Sequence, residues 1–234
     1  MKPITTFLSI LILLFATVTI LPAQDRRSID VSGFDEISLG GSGTLYVRQG
    51  SSFNVEFEGS EEIYERMKFE VRGDRLNIGQ KNGSWWSGWK GGSYSVYITL
   101  PELEGLSVSG SGEIEGNGTF KTDDLDLSVS GSGEIKLSSN SANVEISISG
   151  SGEVELSGTG NSIDAHISGS GTVDARDFKV RNLDARISGS GDVYANATES
   201  IESRISGSGN IYYVGNPKHL NNNSSGSGKI RKIN

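Results

Sequence analysis

One tetrapeptide constrains this chain more than any other feature. Ser-Gly-Ser-Gly recurs starting at Ser109, Ser130, Ser149, Ser168, Ser188, Ser206 and Ser225, so successive copies lie 21, 19, 19, 20, 18 and 19 residues apart. A period near 19 is the signature of a repeat architecture. Around each copy aliphatic residues fall on every second position, as in Leu125, Leu127, Val129, then Ile135, Leu137, and again Val144, Ile146, Ile148, then Val154, Leu156. Such alternation predicts short strands with one face in a core. The parity carries through the tetrapeptide: the glycines keep step with the inward aliphatics and the serines with the outward positions. Each tetrapeptide therefore predicts a tight corner between two strands, where an inward side chain would block the bend.

All seven units read in the same direction with no helical segment between them, so hairpins fit poorly and parallel stacking of successive coils fits well. The fold class expected is all-β, a β-solenoid of about seven regular coils over 106–234. At about 4.8 Å per rung, seven coils give a rod of roughly 34 Å. There is no cysteine, so the inward aliphatics must hold the rod together. Full burial of each contributes about 1.5–3 kcal/mol.

Before the repeats, an apolar run from about Phe7 to Leu21 follows Lys2 and leads into Pro22-Ala23-Gln24. Residues 1–23 read as a secretory signal peptide, the competing reading being an uncleaved membrane anchor. Residues 28–105 are less regular but belong to the same domain. Ile37, Leu39, Gly41, Gly43, Leu45 and Val47 repeat the inward parity as a degenerate first coil. The stretch from Ser60 to Met67, with a capping serine and early carboxylates, predicts a short helix over the N-terminal end, which a solenoid must cover. Leu76, Ile78, then Val96, Ile98 and Leu100 resume the strands. The whole chain carries 21 basic and 29 acidic residues, a net charge of −8. That balance excludes nucleic acid as an expected partner.

Taken together, Gly33-Phe34-Asp35 with Ile37, Gly41-Ser42-Gly43, Gln49-Gly50 and Tyr97-Ile98-Thr99-Leu100-Pro101, followed by the serial tetrapeptides, resemble a bacterial family described as putative auto-transporter adhesin, head GIN domain. The resemblance covers roughly 28–232. It implies a right-handed parallel β-helix-like domain, exported in Bacteroidetes-type bacteria, similar in shape to pectin-lyase-like proteins but without recognised catalytic residues. The implied role is adhesion.

Three places could carry function. The first is Asn82 to Gly92, which holds Trp85, Trp86 and Trp89 with Tyr94 close by. These aromatics could form a platform for sugar rings or a protein partner, or could fold back as a plug over the core. The second is a column of outward carboxylates, Asp126, Glu145, Asp164, Asp184 and Glu202, beside Ser128, Ser147, His166, Arg186 and Arg204. The later coils carry their own counter-charges, whereas Asp126, Glu145 and Asp164 lack them. Those three form a candidate weak Ca²⁺ site, set against a solvated acidic wall that binds nothing. The third is catalytic: Asp164 with His166, or Asp184 with Arg186, would be the nominees of a polysaccharide-cleaving enzyme. Coil lengths of 18–21 leave no long loops to wall a cleft, and there is no nucleophile elbow or phosphate loop. The expectation is an exported, non-enzymatic, adhesin-like or scaffold protein that binds glycan or protein at the cell envelope without a cofactor. The alternative is a polysaccharide lyase or hydrolase.

Overall fold

The computed structural model describes residues 26–81 and 92–233. Its regular part is built from β8 (Gly105–Gly110), β9 (Glu113–Gly131), β10 (Glu134–Gly150), β11 (Glu153–Gly169), β12 (Thr172–Gly189) and β13 (Asp192–Gly207). It closes with β14 (Asn210–Val214), β15 (His219–Gly226) and β16 (Lys229–Lys232). Each long strand starts just past one corner, bends midway, and ends on the first glycine of the next corner. Pairing between consecutive units is parallel throughout, and Gly110, Gly131, Gly150, Gly169, Gly189, Gly207 and Gly226 are in register. The expected solenoid is therefore present. It has two walls, one of strand segments that end at the corner and one of segments that leave it.

The two glycines of a corner are required for different reasons. Gly150 has φ +125, and a Cβ there would lie 2.4 Å from the Gly131 carbonyl oxygen of the preceding coil. Gly152 is buried instead, and a Cβ there would strike Val129 Cγ1. One glycine lets the backbone turn against the coil below; the other leaves room for the core. The parity predicted both to face inward; only the second does so fully, because the first sits at the turn itself with positive φ.

Inside, Ile146, Ile148, Val154 and Leu156 are buried, as are their equivalents from β10 through β13. At the second bend the stack alternates in size. Phe120 and Phe178 are fully buried, with Ser139 and Gly158 between them in the same column. The Phe178 ring fills the space that a Cβ at Gly160 would need. Ser139 and Ser141 satisfy one another by a hydroxyl–hydroxyl bond, which makes two buried polar groups tolerable.

The N-terminal region departs from chain order. Its first coil is β2 (Glu36–Gly41) and β3 (Thr44–Gln49), and the later strands β6 (Arg75–Gln80) and β7 (Ser95–Leu100) form a coil of their own. β2 pairs in parallel with β6 on one side and β8 on the other; β3 does the same with β7 and β9. The earliest coil is thus laid between two coils made from later sequence. Antiparallel strands finish the end: β5 (Met67–Arg72) beyond β6, then β4 (Asn54–Glu58) and β1 (Arg27–Ile29) beyond β7.

Helix α1 (Glu61–Arg66) joins β4 to β5. The Ser60 side chain accepts from the Ile63 N–H, Glu61 and Glu62 occupy the first turn, and Arg66 in the last turn pairs with Glu62. Ile63 is its buried residue, and Phe57 packs against Tyr64, Phe69 and Tyr94 at 5.4–6.2 Å between ring centres. The expected helical cover is there. At the other end the inward sites of the last coil are Leu220, 45% exposed, then Asn222 and Ser224. Ser203 donates to the Asn222 side-chain oxygen at 2.8 Å.

Candidate functional site

The outer surface of the wall that ends at the corner carries three columns, one residue of each per coil. The first is Asp126, Glu145, Asp164, Asp184 and Glu202; the second is Ser128, Ser147, His166, Arg186, Arg204 and Asn223. The third consists of the leading serines of the tetrapeptides, from Ser130 to Ser225. The second and third columns line an open groove of about 710 Å³ that crosses six coils. At a rung spacing of about 4.8 Å the groove runs on the order of 24 Å. The third column is serine in every rung and the second is serine at Ser128 and Ser147, so small side chains leave the groove open along its length.

One half of the groove is neutral and the other half cationic. In the cationic half, Arg186 donates to Asp184 Oδ2 at 2.7 Å and reaches back one coil to Asp164 Oδ1 at 3.3 Å. Its other contact is His166 Nε2, which also lies 3.2 Å from Asp164 Oδ1. Arg204 repeats the backward reach more loosely, with Asp184 Oδ1 at 3.5 Å and Glu202 at 3.9 Å. Asp164 is therefore countered, contrary to the sequence expectation, because an arginine side chain is long enough to bridge to the rung below. Asp126 and Glu145 remain without such a base. Partial burial first, then Glu145 and Glu36, push the Asp126 carboxyl above its usual range, with Arg75 opposing.

The Ca²⁺ expectation at Asp126, Glu145 and Asp164 is not supported by the geometry. Among the described residues no three His, Cys, Asp or Glu side chains come together as a metal site. A column that supplies one carboxylate per rung spreads its oxygens along the rod instead of converging them on one ion. Asp164 with His166 and Asp184 with Arg186 do pair, but within a shared ion network that ties each group to its neighbours.

Trp85, Trp86 and Trp89 lie outside the described residues. Tyr94 does not belong to an exposed platform: it is 4% exposed, stacked on Phe57, and its ring occupies the space over Gly43 where a Cβ would stand. Burial pushes its phenol up to about 12, opposed by a backbone hydrogen bond with Gly43. Half-buried aromatic pairs appear elsewhere, on the wall that leaves the corner. Tyr46 stacks on Tyr97, with Arg26 over the Tyr97 ring, and Tyr194 stacks on Tyr212. Sequence reasoning missed both pairs, although Tyr194 and Tyr212, each three residues past the second glycine of a corner, are marked as rung neighbours by that spacing; no corner motif precedes Tyr97. Among the described residues no helix is long and apolar enough to cross a membrane.

Solved structures with this architecture exist. A protein of Bacteroides fragilis described as a putative adhesin superposes with TM-score 0.81 at 26% identity, over 89% of this chain and 96% of its own. A Parabacteroides distasonis protein described as a putative lipid binding protein gives 0.71 at 26% identity, over 90% and 96%. A putative adhesin of Parabacteroides merdae shares the fold, with TM-score 0.70 at 20% identity, over 90% and 96%. A search of curated proteins finds no match. Over residues 33–217 the sequence matches the family described as putative auto-transporter adhesin, head GIN domain, and the chain belongs to that family.

Proposed function

We propose that this chain is a non-enzymatic, adhesin-like protein of the cell envelope that holds an extended glycan along the serine-lined groove. The apolar N-terminal stretch and the adhesin-described relatives favour an exported protein. The observation that carries the reading is the groove itself, a trough of about 710 Å³ with a continuous column of serine hydroxyls, one per rung, along one side. A linear polymer of repeating units meets the same column of tetrapeptide serines at each rung, with Ser128 and Ser147 opposite it at one end, and serine offers both a donor and acceptors to sugar hydroxyls. The relative described as lipid binding makes an acyl chain the rival occupant.

The test is binding of the purified chain to an oligosaccharide array and to lipid vesicles, with Ser149→Trp and Ser168→Trp as blocking variants. Both positions face outward, so an indole there fills the groove without entering the core. Glycan binding that is lost in both variants at unchanged thermal midpoint supports the reading. Binding to vesicles alone, or glycan binding unaffected by the indoles, overturns it. Replacing Trp85, Trp86 and Trp89 together by Ala serves as the control for a second surface, and groove binding survives it.

A further inference from the structure

We infer that the groove selects an acidic glycan, one bearing carboxylate or sulfate groups, and that Arg204 receives the negative charge; this rests on the glycan reading of the groove given above. The chain as a whole is acidic, with net charge −8, and a carboxylate column runs directly beside the groove. Yet the ionisable side chains that line the groove are His166, Arg186 and Arg204, all bases, on three successive rungs. Arg186 and Arg204 offset part of the charge of the carboxylates beside them, yet two guanidiniums one rung apart repel one another, a cost that an anion in the groove would relieve. Their carboxylate partners lie in the neighbouring column, so the bases stand between the acids and the ligand.

The two arginines are committed to different degrees. Arg186 spends one terminal nitrogen on Asp184 and the other on Asp164 and His166, which fixes its plane. Arg204 makes no hydrogen bond to any other described residue. Its nearest carboxylate oxygens are 3.5 and 3.9 Å away, and its side chain is 54% exposed. A guanidinium offers a planar fork of donors that matches a carboxylate or sulfate two bonds at a time, and such charge-assisted bonds are among the stronger ones. Ser188 and Ser206, which also line this part of the groove, supply hydroxyls for the rest of the same sugar. Toward the other end the lining holds Ser128, Ser130, Ser147 and Ser149 and no charge, which fits neutral units of the same chain.

Calorimetric titration of the full chain tests this with three matched probes: a uronic acid oligosaccharide, its carboxyl-reduced form and a sulfated oligosaccharide. An acidic probe is expected to bind about tenfold or more tightly than the reduced one, with affinity that falls as salt rises. Arg204→Gln is expected to erase that preference at an unchanged thermal midpoint, and Arg204→Lys to restore only part of it. The uronate and sulfated probes together identify which anion is preferred. Equal binding of acidic and reduced probes, or an intact preference in Arg204→Gln, overturns the inference. If Ser168→Trp still abolishes binding in that case, the groove reading survives alone. If Ser168→Trp binds every probe as wild type does, the groove reading falls with it.

Discussion

The two ends of this solenoid are finished by different means. At the N-terminal end the last parallel coil is covered by antiparallel strands, a six-residue helix and a cluster of Phe57, Tyr64, Phe69 and Tyr94. At the C-terminal end the repeat simply turns polar: Asn222 and Ser224 replace aliphatics, and β15 is exposed along its whole length. The first device buries surface against new partners, while the second leaves little surface that needs burial. A repeat can therefore be ended either by adding structure or by diluting its own core. The interior coils follow a third logic, in which each residue is supported by copies of itself one rung away.

The largest expected effect strikes that interior. Ile148→Asp places an unpaired carboxylate in a fully packed rung, and a loss of more than about 4 kcal/mol is expected, seen as a lower and still cooperative melt. A midpoint no lower than that of an outward substitution would show that the walls are assigned to the wrong faces. Next comes the aromatic end. Tyr94→Ala removes a ring that fills the space over Gly43, and a loss of about 3–5 kcal/mol is expected from calorimetry. If hydrogen exchange then rises only around β2, β3 and β4, and not in β12 or β13, the cap is a local device. Uniform exchange would merge the two regions into one unit.

Gly150→Ala follows, with positive φ and the contact to the Gly131 carbonyl both against it, at about 2–3 kcal/mol. The corner register would be broken by a variant that melts like wild type. A smaller effect comes from pH. The Asp126 carboxyl titrates above its usual range in the folded chain, so the native state binds that proton more tightly than the unfolded one. Its contribution to stability is favourable below about pH 3.9, the ordinary carboxylate value, and declines as pH rises through the raised one. Asp126→Asn is thus expected to melt slightly higher at neutral pH and with no gain under acid conditions. Least of all should Ser149→Ala matter, within about 0.5 kcal/mol, since its hydroxyl faces the groove.

The regular coils were legible because a period-two pattern and a corner motif repeat without ambiguity, and the register of the seven glycines follows from them. The interleaved N-terminal coils were not. Leu76, Ile78, Val96 and Ile98 read as strands, but β2 has two free edges and nothing in those residues says which edge they take. Tyr94 stayed open in the sequence between a platform and a plug over the core, because its fit over Gly43 is a contact across β2, β3 and β7 that no local pattern records. His166, Arg186 and Arg204 were visible as a column of counter-charges. What spacing alone did not show is that Arg186 reaches back to Asp164, or that the serine columns stand low enough to make a trough.

The placement of β2 and β3 between two later coils has a consequence for how the chain can assemble. Each coil after β9 can settle on a finished neighbour as soon as about twenty more residues have emerged, one rung at a time. The first coil cannot be completed that way, because one of its flanks waits for β6 and β7 and the other for β8 and β9. β3 lacks its full set of neighbours until about residue 116 has been made, so roughly the first half of the chain must wait and then close together. A chain delivered amino-terminus first would make its slowest step early and its fast steps late. Truncation after Gly112 should therefore leave an unstructured polypeptide, whereas truncation after Gly171 should leave a shorter rod.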